Sequence, residues 1–259
     1  MRQTTLVILF SFILTASYTQ KTFSSPTEEV EAPKITSQLK DSVEKLGLKW
    51  GSPVFIQIIK QEKKLYLWIE DPNGRYLLFK SYGICAFTHT LGPKITSTHT
   101  EAPEGFYAVS PVQMHRKSEY HRSFDLGFPN AYDIEHGHPG GNLEVHGDCK
   151  NTGGYAVNYE FKLGHTPITT FWALNNRPIE ELFSLMSAAF TAGQTEIQVH
   201  IFPFALDKQT LAAWVDDGWH EFWTELAPAW QIFEKTKRPP RIKFHDGKYV
   251  IQPASANPE

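Results

Sequence analysis

Three runs rich in Val, Ile, Leu, Tyr and Trp follow one another between residues 54 and 85, and their spacing commits this stretch to β structure. The first two, 54–60 and 65–70, are separated by Gln61-Glu62-Lys63-Lys64, four polar residues that suit a hairpin loop. Asp71-Pro72-Asn73-Gly74 then supplies a proline for a fixed φ and a glycine for left-handed backbone, a strong turn that feeds a third run over 75–85. Ahead of them, 35–46 reads as a helix with Leu39, Val43 and Leu46 on one face and Gly47 as its stop. Short strands are expected at 106–109 and 143–146, set between loops punctuated by Gly92-Pro93, Ala102-Pro103 and Phe128-Pro129-Asn130. A helix over 178–192 carries the apolar stripe Ile179, Leu182, Phe183, Met186 and Phe190, read as core, and 196–204 returns as a buried strand.

The last part reads as helical pieces at 210–215 and 219–226, an interruption at Pro228, a resumed helix over 229–237, and a hairpin. In the hairpin, 241–244 and 249–252 flank an Asp246-Gly247 turn. Trp214, Trp219, Trp223 and Trp230 crowd this region, and their apolar area is best used in packing on the main sheet. At 259 residues the chain can bury one good core with elaborations. A net charge of -3 gives no reason to expect a nucleic-acid partner.

The first residues suggest export. Arg2 is a weakly basic start, 6–14 is apolar but too short for a permanent membrane span of about 20 residues, and Thr15-Ala16-Ser17 offers small residues for cleavage. We therefore expect a signal peptide over 1–17 and, from its polar, acidic, proline-containing composition, a flexible tether over 18–34. One folded domain would cover 35–204, and the tryptophan-rich helical and hairpin appendage at 205–259 would pack on it. In an oxidising compartment Cys85 and Cys149, the 2 cysteines of the chain, could pair or stay free, and sequence does not supply the geometry that decides.

The chemistry concentrates in Val145-His146-Gly147-Asp148-Cys149-Lys150-Asn151-Thr152-Gly153-Gly154-Tyr155-Ala156. A histidine at the end of a short apolar run is followed by an acid, a cysteine and a Gly-Gly pair, a composition suited to a loop whose backbone N–H groups face a ligand closely. The segment is similar to the His-Gly-x-Cys-x-x-x-Gly-Cys-Tyr-Ala-Met signature of the YafK-type branch of the L,D-transpeptidase (YkuD-like) family, matching at His146, Gly147, Cys149, Gly153, Tyr155 and Ala156. Ile84-Cys85, Leu91-Gly92-Pro93-Lys94, Pro103-Glu104-Gly105-Phe106-Tyr107 and the segment from Gly127 to Asp133 extend the resemblance in the same order. The family's catalytic cysteine falls on Gly154, which offers neither sulfur nor oxygen.

The resemblance implies an α+β protein, mainly β: an L,D-transpeptidase-type antiparallel β-sandwich with flanking helices. It implies a periplasmic protein directed at peptidoglycan stem peptides, including those linked to a lipoprotein, with no cofactor. His146 would correspond to the general base, and Gly153 and Tyr155 would line the turn that holds an oxyanion. Lys94, Glu104, Gly105, Tyr132, Asp133 and Asp148 would frame the substrate, although turn, ion-pair or other structural roles compete for Glu104, Gly105, Tyr132 and Asp148. Without a nucleophile, binding with impaired or lost acyl transfer is the expected behaviour. Two other readings stand beside it. Cys149 could replace the missing thiol, lowered in pKa by His146 three residues away. Alternatively, His136, His138, His146 and Cys149 could hold zinc, although their spacing fits no strong zinc signature.

Overall fold

The computed structural model describes residues 26–85, 90–96, 102–138, 140–141, 143–149 and 170–254. Helix α1 (Pro26–Lys45) opens it. The expected helix therefore begins earlier, with 26–34 helical where a tether was read. Leu39 and Val43, one turn apart, are buried, whereas Leu46 lies past the helix end and is 54% exposed.

Strands β1 (Val54–Ile59), β2 (Lys64–Glu70) and β3 (Tyr76–Gly83) form the antiparallel succession that the three apolar runs announce. With β4 (Gly105–Val109) and β9 (Ile197–Phe202) they build a five-stranded sheet in the order β3-β2-β1-β9-β4. Strand β1 lies between β2 and a parallel neighbour, β9, and all six of its residues are buried, as a strand covered on both faces requires.

A second sheet has the order β5-β6-β7-β8, from β5 (Met114–Ser118), β6 (His121–Asp125), β7 (Glu144–His146) and β8 (Thr170–Ala173). A short helix, α2 (Ala131–Glu135), precedes β7, and β7 and β8 run parallel. The architecture is thus mixed α/β with both strand directions rather than wholly antiparallel. Strand β8 falls in the stretch for which the sequence offered no element.

Both sheets feed one core. Ile56, Ile58, Leu65, Leu67, Val199 and Ile201 of the first meet Phe124, Val145 and Trp172 of the second, together with Ile179, Leu182 and Met186 of helix α3 (Asn176–Thr191). Each such side chain contributes about 1.5–3 kcal/mol on leaving water. The short helix α4 (Lys208–Ala212) leads to α5 (His220–Thr236), which packs beside a second cluster where Phe202 and Phe204 meet Phe222, Trp223 and Leu226. The expected break at Pro228 does not occur, and α5 runs through it. A proline inside a helix costs about 3 kcal/mol, and the burial of Trp223, Leu226, Ala229 and Phe233 on both sides of it outweighs that cost. The two-stranded sheet β10 (Arg241–His245) and β11 (Lys248–Gln252) turns at Asp246 and Gly247, both left-handed, as the Asp-Gly pair anticipates.

Candidate functional site

His146 ends β7, and its position is set from three sides. Its strand pairs with β6, where Ser123 lies directly opposite, and with β8, where Ala173 does. The peptide N–H of Gly147 donates to the Arg122 carbonyl at 3.0 Å and that of Leu174 to the His146 carbonyl at 2.8 Å, so the strand end cannot pivot. The imidazole is 1% exposed and lies 4.8 Å from the Tyr120 ring, centroid to centroid.

The Gly147 carbonyl decides the tautomer. Nδ1 lies 2.5 Å from the Gly147 carbonyl oxygen, which can only accept, so Nδ1 carries the proton and Nε2 keeps a lone pair. Burial drives the pKa down to about 4, against smaller upward pulls from the Gly147 hydrogen bond and the Asp148 charge. At neutral pH the ring is therefore an uncharged acceptor. A base of that strength is poorly matched to a thiol of pKa about 8.5.

The loop beyond His146 turns back sharply onto α3. A Cβ on Gly147 would sit 2.8 Å from Ile179 Cγ2, so only glycine fits. Asp148 adopts a left-handed φ of 59°, and its N–H donates to Asn176 Oδ1 at 2.6 Å. Cys149 donates its N–H to the Leu174 carbonyl and is bonded through sulfur to Cys85, with Cα atoms 6.2 Å apart. Cys149 is thus not a thiol here, which removes the basis for its acting as a nucleophile beside His146. Gly153, Gly154 and Tyr155 lie outside the described residues.

Five of the residues expected to frame a ligand are buried. Glu104 pairs with Lys60 at 2.7 Å, both side chains wholly buried, and also accepts from the Gly92 N–H and Trp223 Nε1. Lys94 is 1% exposed and donates to the Thr96 carbonyl. Gly105 has φ +127°, and a Cβ there would meet the Tyr249 hydroxyl at 2.8 Å. Asp133, also 1% exposed, accepts from the Tyr107 hydroxyl and the Asn130 N–H and faces His138 Nδ1. Burial pushes its pKa up while those hydrogen bonds pull it back. Tyr132 stacks between His136 and Tyr249. Of the six residues expected to frame a ligand, Lys94, Glu104, Gly105, Tyr132 and Asp133 thus have partners within the fold. Asp148 alone among them is partly exposed beside His146.

The zinc reading fares no better. Among the described residues no group of three or more His, Cys, Asp or Glu side chains converges to hold a metal ion. His136 Nδ1 binds the Tyr132 carbonyl, His138 binds Asp133, and Cys149 is in the disulfide.

No protein-family model matches the chain. YafK of Escherichia coli K12, a protein assigned as an L,D-transpeptidase, is 36% identical over 201 residues, spanning 78% of this chain and 74% of YafK. YafK of Escherichia coli O157:H7 gives the same figures. The chain belongs to the YafK-type L,D-transpeptidase family. Solved structures are more distant. Pgp2 of Campylobacter jejuni, a helical cell shape determining protein, covers 83% of this chain and 80% of its own at 17% identity and a TM-score of 0.39. Bd1075 of Bdellovibrio bacteriovorus covers 75% and 78% at 13% identity and 0.37. Superpositions this loose carry no argument, and membership rests on YafK.

Within the YafK-type family, three neighbours of His146 went unread in the sequence. Asn176 holds the Asp148 N–H, Tyr120 faces the imidazole, and Ser123, on the strand opposite, buries an Oγ with no hydrogen-bond partner among the described residues. Asn176 had a signal, as a polar residue opening a helix two positions before Pro178. Ser123 sits in a strand whose polar composition conceals it, and Tyr120 in the turn between β5 and β6.

Proposed function

We propose that this YafK-type protein binds peptidoglycan stem peptides in the periplasm and does not carry out thiol-dependent acyl transfer. The observation that carries the reading is the fate of sulfur. The chain holds 2 cysteines, they are bonded to each other, and none is free. Acyl transfer of this type proceeds through a thiolate. His146, neutral at physiological pH, is suited to accept a hydrogen bond from a ligand and is a poor partner for stabilising an ion pair. Asp148, partly exposed beside it, is a candidate for the cationic end of a diamino acid.

Membership of a peptidoglycan-directed family and the disulfide both favour export, with 1–17 as the signal peptide. Among the described residues no helix is long and apolar enough to cross a membrane. Titrating a stem tetrapeptide that contains a diamino acid into the protein by calorimetry tests the binding half of the proposal. A dissociation constant between roughly 1 μM and 1 mM is expected, weakened at least tenfold in Asp148→Asn. Absence of heat at millimolar peptide would overturn it.

A further inference from the structure

A groove of about 470 Å³ opens on the opposite side of the second sheet from His146. Side chains alternate along a strand, so Arg122, which lines the groove, points away from the face shared by Ser123 and its partner His146. The other walls come from Trp50, from Thr36 of α1, from Phe183, Ser184 and Ser187 of α3, and from Arg116 of β5.

The charges in this groove do not cancel. Glu180 is engaged at 2.5 Å by Arg122 Nε and at 2.8 Å by His121 Nε2. Burial raises its pKa, and those two partners more than reverse that, so the carboxylate stays ionised and spoken for. Arg122 also lies over the Phe183 ring at 5.1 Å. Arg116 has no such counterpart. Among the described residues no hydrogen bond or ion pair engages its guanidinium, although it borders a concave site. One uncompensated cation, an indole and several small hydroxyls therefore converge on a space large enough for a sugar ring. Aromatic faces take the apolar side of such a ring, hydroxyls its polar edge, and a guanidinium forks onto a carboxylate.

We propose that this groove is a binding site for an acidic amino sugar, a hexose-sized ring bearing a carboxylate, separate from the His146 site. The choice of an amino sugar rests on the peptidoglycan-directed reading, because the glycan of that polymer supplies such rings wherever the stem peptide has been cleaved from the lactyl carboxyl group. The groove itself does not depend on that reading.

N-acetylmuramic acid and N-acetylglucosamine differ only in the lactyl ether that carries the carboxylate, so they form a matched pair of probes. The indole N–H of Trp50, assigned with Trp50→Phe, reports on occupancy in ¹H–¹⁵N spectra. N-acetylmuramic acid is expected to shift it with a dissociation constant on the order of 1 mM, about tenfold tighter than N-acetylglucosamine. Arg116→Ala, an exposed change that spares the core, should erase the difference between the two sugars. Ser187→Phe should fill the groove and abolish both responses.

No response to the acidic sugar, equal affinity for both sugars, or an equal response to lactate alone would overturn the proposal. So would a preference that survives Arg116→Ala. The stem tetrapeptide, which lacks sugar, separates the two claims. Peptide binding without sugar binding removes the groove proposal alone, and sugar binding without peptide binding removes the stem-peptide reading alone.

Discussion

Burying His146 beside a carbonyl makes protonation of its ring costly, and that cost is readable as pH-dependent stability. The folded pKa, about 4, lies below the ordinary 6.5. The contribution is therefore fully present above pH 6.5 and is lost as pH falls through the window down to about 4, with an amplitude of about 3 kcal/mol. His200, sealed among Phe55, Phe106 and Phe202 with its pKa pushed by burial to about 3, extends the same loss to lower pH. The melting temperature should fall from pH 7 to pH 4, and His146→Gln should flatten the upper part of that fall. An identical pH profile in the variant would show that the ring is already protonated or solvated. Glu104 gives a second test at this scale. Glu104→Gln leaves the Lys60 ammonium buried without its counter-ion, and a loss of about 3–5 kcal/mol in unfolding free energy is expected. Denaturation titrations showing less than 1 kcal/mol would mean that the pair is hydrated.

At the scale of elements, the loop after β7 is held by two attachments, Asn176 at the start of α3 and the bridge from Cys149 to Cys85 just beyond β3. A bridge spanning 64 residues is worth about 4 kcal/mol through the entropy of the unfolded chain. Replacing both cysteines by serine should lower the melting temperature by roughly 8–16 °C in a chain of this size, whereas an unchanged value would show that the bridge holds nothing. Elements with strong periodicity or turn chemistry were legible in the sequence: β1, β2 and β3 from their β-branched runs, α3 from its stripe, and β10 and β11 from Asp246-Gly247. Strands β5 and β6 were not, because Met114-His115-Arg116-Lys117-Ser118 and His121-Arg122-Ser123-Phe124-Asp125 carry no apolar alternation. Pairing of β6 with β7, and of β5 with β6, makes them strands. Helix α5 was split at Pro228 for a related reason, since local propensity says nothing of the sheet against which the helix packs.

Taken whole, the molecule keeps a transpeptidase-family scaffold and spends its charged framing residues on internal contacts. His146, Gly147 and Cys149 could be picked out from a short motif because their spacing is local. The burial of Lys94, Glu104 and Asp133 could not, because a charged residue type suggests a surface until a partner such as Lys60 or Tyr107 is seen beside it. With both sulfurs tied to each other and glycine at residue 154, no side chain is expected to take up an acyl group. The most direct measurement is intact-mass spectrometry of the purified, non-reduced protein after incubation with the stem tetrapeptide, with the released products followed in parallel. The protein should keep its mass and the peptide should remain whole, while Gly154→Cys should gain an acyl adduct. An adduct on the unaltered chain, or steady peptide turnover by it, would contradict the claim.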